Sequence, residues 1–273
     1  MNKTRRIALY IYLVLAGIGL QFELGSMAEK EVTLEAGRDL VLNLAVLAAF
    51  FLPFYFLIKK LAKKLSVEMI VLGTALFGGA FISGWLSFAG NSLIDIINSN
   101  FIKDPGIFND WTNALTAPFA EEFFKSLTAF AALYILGRKD IQSVLIAGLS
   151  SGFGFQVIED IGYVSRVTFG GQYSGSLEAV GRIAGGLASH TLYTAVVTVG
   201  VYLLFSTAYK KYRLFGFWCV VSTVANHFIW NSPFFETEHR INILVGFLFA
   251  FLVATFIEVY RLVLKEKKTD LEI

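Results

Sequence analysis

Runs of about 20 apolar residues recur along almost the whole chain, and a run of that length crosses the hydrocarbon of a bilayer as an α-helix. Spans are expected near 7–22, 40–58, 69–97, 113–136, 141–164, 181–205, 215–235 and 241–263, about eight in all. The third run is long and carries Gly78, Gly79 and Gly84, so a tilt or a break is expected there, with its end (91–100) lying on the membrane surface. Hydrophobic residues make up 56% of the chain, which excludes an ordinary soluble domain. The expected fold is all-α: one polytopic helical membrane domain over residues 1–273.

Loop charges set the expected orientation. Lys3, Arg5 and Arg6 precede the first run, and Lys59, Lys60, Lys63 and Lys64 follow the second. Arg138 and Lys139 follow the fourth, Lys210, Lys211 and Arg213 the sixth, and Arg261, Lys265, Lys267 and Lys268 close the eighth. The intervening loops are acidic or mixed: Glu23, Glu29, Glu31 and Glu35, then Asp104 and Asp110, then Arg166 with Glu178, then Glu236 and Glu238. This alternation puts both termini in the cytoplasm of a multi-pass cell-membrane protein. The net charge of +2 is therefore topological, and no nucleic-acid partner is expected. The segment QFELGSM offers a poor small-residue cleavage site, so the first run is expected to stay as a helix rather than leave as a signal peptide. The lone Cys219 excludes an intramolecular disulfide and a cysteine-rich metal site.

Against that apolar background, ionisable residues stand inside consecutive spans: Glu121 and Glu122 in the fourth, Glu159 and Asp160 in the fifth, His190 in the sixth and His227 in the seventh. A charge in hydrocarbon is costly, and such residues usually face a partner or a wet cavity. At 1.5 Å of rise per residue, Glu121, His190 and His227 lie roughly 12–13 Å from the outer ends of their spans, and Glu159 about 7–8 Å. Four residues far apart in sequence thus share one layer in the outer leaflet. Glu121 and Lys125 are i,i+4 and share a helix face, as do His227 with Asn231, Glu159 with Tyr163, and His190 with Thr194. Glu122, about 100° round the helix, is expected to point elsewhere. Pro118 can kink its span beside the carboxylates, and Gly152, Gly154, Gly181, Gly185 and Gly186 permit close helix approach near Glu159 and His190. Asp160 is placed at the outer rim, Asp95 in water, Glu258 with Arg261 as a snorkelling pair, and Trp111 and Trp230 in an outer aromatic belt. His239 is expected on the solvated surface.

Buried Glu and His suit two chemistries: hydrolysis with a carboxylate as base and imidazole or amide groups on the oxyanion, or a metal held by two imidazoles and a carboxylate. No HExxH occurs, so any ligands come from separate helices. A proton- or ion-coupled transporter could use the same cluster as a relay. Transporters usually set such residues at the midplane between related halves, whereas this layer is off-centre and confined to the second half. That favours an enzyme.

Glu121-Glu122-Phe-Phe-Lys125, Gly154-Phe155 leading to Glu159, and single histidines in the next two spans together resemble the PrsW family of intramembrane proteases. His227-Phe-Ile-Trp-Asn231 also resembles the HxxxN element of the CAAX prenyl endopeptidases, although this chain has Glu159 where their second motif ends in His. The resemblance covers residues 113–235, and so implies a four-helix catalytic core of spans four to seven. It implies Glu121 as the activating carboxylate, Glu122 as its neighbour, and Lys125 as the cation that pairs with one of them or fixes the helix. Glu159, His190 and His227 complete the implied site, with Asn231 as an oxyanion or water partner. It also implies either Zn2+ on Glu121, His190 and His227 (with Glu159 a further ligand) or metal-free glutamate chemistry. The implied substrate is a single-pass membrane protein such as an anti-sigma factor, cut on its extracytoplasmic side.

Overall fold

The computed structural model describes residues 1–27, 33–171, 174–186, 189–235 and 243–271. Glu29, Glu31, Glu236, Glu238 and His239 lie outside the described residues. Among those described there is helix and no strand: α1 (Lys3–Met27), α2 (Leu34–Leu65), α3 (Met69–Gly78), α4 (Gly84–Asn98), α5 (Pro105–Leu136), α6 (Ile141–Gly170), α7 (Gly175–Gly186), α8 (Ser189–Phe205), α9 (Arg213–Trp230) and α10 (Ile243–Leu271). A π-helical turn, Gly79–Ser83, joins α3 to α4, at the glycines where a break was expected.

Local sequence explains where these helices start and stop. Asp104 accepts from the amides of Gly106 and Ile107 at the head of α5, with Pro105 in the first turn. Asp140 accepts from Ser143 N at 2.7 Å to open α6. Gly137 ends α5 and Gly171 ends α6 with φ of 71° and 62°, left-handed values that glycine adopts without a Cβ penalty.

Among the described residues, six segments are long and apolar enough to cross a membrane: α1, α2, α3 with α4, α6, α7 with α8, and α10. The expected fourth and seventh spans, now α5 and α9, are not among them. The reason in α5 is plain, since Glu121, Glu122 and Lys125 interrupt its apolar sequence. Both helices carry site residues. α6 is the central rod, packed against α2, α3, α5 and α8 and buried nearly all round, whereas α1, α2 and α10 leave most of their apolar surface on the outside. The main core runs through Leu47 and Phe51 of α2, Val144, Leu145 and Phe153 of α6, and Val196 and Val199 of α8.

The basic segments gather at one end of the bundle. The Arg5 guanidinium lies against Gly137, Arg138 pairs with Glu68, and Lys267 donates to Lys64 O at 2.7 Å and to the Ser66 hydroxyl at 2.9 Å. Lys211 lies 3.5 Å from Glu266. Outside the helices, the neighbouring Glu68 carboxylate raises the Arg138 pKa above its usual value. Glu258 and Arg261 form the expected exposed pair at 2.5 Å. Asp95, placed in water from sequence, is half-buried and accepts from the Thr112 hydroxyl.

A further residue departs from the sequence reading. Glu23, counted there among loop charges, lies inside α1 and is buried, because the helix runs past its apolar stretch to Met27. Within the expected sixth span, residues 187 and 188 lie outside the described residues, and His190 is carried by α8.

Glycines set the distance between α6 and α8. A Cβ on Gly152 would stand 2.4 Å from His190 O and 2.9 Å from Thr191 Cα, so α8 can rest on α6 only where that Cβ is missing. Gly152→Ala should therefore push α8 outward and cost about 1–3 kcal/mol of stability. Gly73→Ala, where no atom lies within 4 Å of the added methyl, is the control and should be neutral or stabilising by up to about 1 kcal/mol. Thermal unfolding of the two variants in one detergent checks the contrast.

Candidate active site

α5, α6, α8 and α9 each deliver ionisable side chains to one point. Lys125, fully buried on α5, is the hub: its ammonium lies 2.6 Å from Glu122 Oε1, 3.3 Å from Glu121 Oε2 and 3.1 Å from His190 Nδ1. Being four residues from Glu121 and three from Glu122, it can reach both carboxylates along one helix. Its Nζ also sits 4.5 Å from the centre of the Phe155 ring, the aromatic of the Gly154-Phe155 pair. Two hydroxyls fix its backbone, since Ser151 of α6 and Thr128 both donate to Lys125 O, at 2.7 and 2.9 Å.

An ammonium has only donors, so its contact with His190 Nδ1 uses that nitrogen's lone pair. The ring proton then belongs on Nε2, which lies 3.1 Å from Glu159 Oε2. Glu159 and Asp160 are both tied to Arg182 of α7, at 2.5 Å each. Asp160 is thus buried against a guanidinium and not exposed at an outer rim. The sequence reading passed over Arg182 as a site residue. The available signal was an arginine between apolar and glycine residues at the start of an expected span.

Glu122 does not point away from the cluster, as its angle from Glu121 suggested. It is 1% exposed and wedged between helices, with Oε2 accepting from the Thr194 hydroxyl at 3.0 Å and Oε1 lying 3.3 Å from His227 Nδ1. That last contact lacks hydrogen-bond alignment, so His227 Nδ1 is a buried nitrogen without a partner. The His227 ring stacks on Tyr193, 4.8 Å between centres and 8° from parallel. Tyr193 is in turn fixed by donating to Asn226 Oδ1 at 2.6 Å. Neither Thr194 nor Tyr193 was singled out for these contacts from sequence, because polar residues facing a neighbouring helix look alike whether they support a site or simply pack.

The other carboxylate of the pair, Glu121, is 7% exposed and opens onto a cavity of about 570 Å³. Glu159, Tyr163, Arg182, His190, His227 and Asn231 also line it. Asn231 caps α9 through its backbone N–H, which donates to His227 O at 3.1 Å, and the residue lines the same cavity. The seven residues singled out from sequence are therefore brought together: five on the cavity wall, with Lys125 and Glu122 directly behind them. Gly181 and Gly185 of α7 leave open space on that wall where side chains would otherwise stand.

Glu121, His190 and His227 each offer one ligand atom, and these atoms all lie within 4.8 Å of one another. Two imidazoles and a carboxylate are a donor set suited to zinc, with a coordination position left for water. A carboxylate beside one nitrogen of each imidazole, Glu159 at His190 Nε2 and Glu122 at His227 Nδ1, fits the same use. With neutral histidines, Glu121, Glu122, Glu159 and Asp160 face only Lys125 and Arg182, an excess of negative charge that a dication would balance. The competitor is Lys125, whose ammonium occupies the Nδ1 lone pair of His190.

The model of the PrsW family of intramembrane metalloproteases matches residues 67–258. No curated protein and no solved structure matches the chain.

Proposed function

The chain belongs to the PrsW family of intramembrane metalloproteases, and we propose that its Glu121 activates a water to cut a membrane-anchored protein beside the extracytoplasmic surface. The observation that carries this reading is the cavity, onto which Glu121 opens together with both histidines, while Glu122 and Lys125 stay behind the wall.

In this account Glu121 takes the proton from water as the oxygen attacks the scissile carbonyl, and later returns it to the leaving amine. Lys125 orients that carboxylate through the 3.3 Å contact and holds the charge of the pair fixed. His190, kept in one tautomer by Lys125 and Glu159, and His227, flat against Tyr193, line the place where negative charge develops on the carbonyl oxygen. Asn231 supplies an amide donor at the same wall. His190, His227 and one oxygen of Glu121 would hold Zn2+, leaving the second Glu121 oxygen for the proton, and the ion would polarise the carbonyl and acidify the attacking water.

Orientation follows from the loop charges. In this reading the basic end that carries Arg5, Arg138 and Lys267 faces the cytoplasm and the cavity faces the outer side. The substrate is then a single-pass protein, of the anti-sigma-factor kind, presenting its outer juxtamembrane segment. A prenylated protein is a poorer fit, because its modified end lies on the cytoplasmic side.

Co-expression with single-pass reporters differing in that outer segment tests this reading. Cleavage of some reporters by the wild type is expected; no cleavage across a proteome-scale set would sink it. Metal analysis of the purified protein is a separate check. Zinc near one per chain is expected, with loss of most of it in His190→Ala or His227→Ala. Wild-type protein free of zinc but still active would move the chemistry to glutamate alone. The transporter reading predicts instead a proton or ion flux in liposomes that Glu121→Gln abolishes.

A further inference from the structure

One wall of the cavity carries polar groups that the chemistry above does not use. Ser87 and Asn91 lie on α4, four residues apart and on one face, and both line the cavity. Ser87 is 2% exposed, yet its hydroxyl has no hydrogen-bond partner, and the buried Asn91 Oδ1 has none either. Gly84, one turn earlier on the same face, lies under Glu23 of α1: Glu23 Oε1 is 2.5 Å from where a Cβ on Gly84 would stand. Glu23 is 9% exposed and lines the cavity with Arg166, whose charge acts on it although no ion pair within 4 Å joins the two. These groups come from α1 and α4, whereas the Glu121 cluster comes from α5, α6, α8 and α9.

Orphaned buried polar atoms cost free energy unless something occupies them. A peptide bond in a transmembrane helix is cut only after its backbone is unwound, and an unwound backbone in a bilayer must find new hydrogen-bond partners. The two needs are complementary.

We propose that the Gly84, Ser87 and Asn91 face of α4, with Glu23 of α1, is the subsite that holds the unwound substrate segment beside the scissile bond. The Ser87 hydroxyl and the Asn91 carbonyl take backbone groups of that segment, and the Glu23 carboxylate takes a Lys or Arg side chain on it. This rests on the endopeptidase reading and adds to it a preference for a basic juxtamembrane residue.

Binding, measured apart from cleavage, tests it. Full-length Glu121→Gln protein in nanodiscs is titrated with fluorescent single-span peptides whose outer juxtamembrane residue is Lys, Leu or Glu. The Lys peptide should bind about tenfold tighter than the Leu peptide, and the Glu peptide weaker still. Adding Glu23→Gln should bring the Lys-to-Leu ratio close to one. Adding Ser87→Ala with Asn91→Ala should weaken all three peptides about tenfold while their ranking persists. Unfolding midpoints of the same samples show whether a variant has merely lost its fold; peptides compared within one variant are independent of that. Equal binding of the three peptides, an unchanged ratio in Glu23→Gln, or no binding at all would overturn the subsite. Selective binding of this kind with no cleavage by the wild type would instead overturn the protease reading and leave the subsite standing.

Discussion

Glu121→Gln should abolish peptide-bond hydrolysis, lowering kcat by about 10²–10⁴-fold, while the protein still accumulates in membranes. The substitution keeps the size of the side chain and an oxygen that can still accept from Lys125, so the packing of α5 is spared. What it removes is the only carboxylate of the Glu121–Glu122 pair that opens onto the cavity. Glu122→Gln should behave differently. That residue is 1% exposed and bonds Thr194 and Lys125 inside the helix bundle, so its loss should reduce folded protein at least as much as turnover. Turnover per folded molecule, measured against a cut reporter, separates the two. Equal residual turnover in both variants would contradict the division of roles between neighbouring carboxylates.

The largest effect on stability is expected from Lys125→Met. The ammonium touches Glu121, Glu122 and His190 with no exposure to solvent, so removing it leaves buried carboxylates without their cation. Breaking a buried pair from one side typically costs about 3–5 kcal/mol, and here two carboxylates lose the same partner. Adding Glu122→Gln to Lys125→Met should recover part of that loss, because the second change removes an uncompensated charge. Unfolding midpoints of the two singles and the double supply the cycle. A double variant no more stable than Lys125→Met would mean that the cation contributes through packing on Phe155 and not through charge.

Much of this site was legible in the sequence, for a reason specific to membranes. In a soluble domain Glu121, Glu159, His190 and His227 would be four polar residues among many; in apolar spans each is an anomaly that calls for a partner. Their common depth came from helix rise and loop charge alone. The direction of Glu122 was not legible. Its rotation from Glu121 gives an angle, but not which neighbouring helix fills that angle, and α8 happens to present Thr194 there. Glu23 was read as a loop charge because it sits where an apolar run fades while the helix continues, and Arg182, at the start of an expected span, was passed over as a site residue.

The proposal stands or falls on hydrolysis of a peptide bond by the buried cluster near the outer face of the membrane. Purified protein reconstituted with a single-pass reporter, with the products identified by mass spectrometry, tests it most directly. The account predicts one cut in the outer juxtamembrane segment, present with the wild type and absent with Glu121→Gln. A reporter left whole by folded wild-type protein, or cut only at its cytoplasmic end, would contradict it.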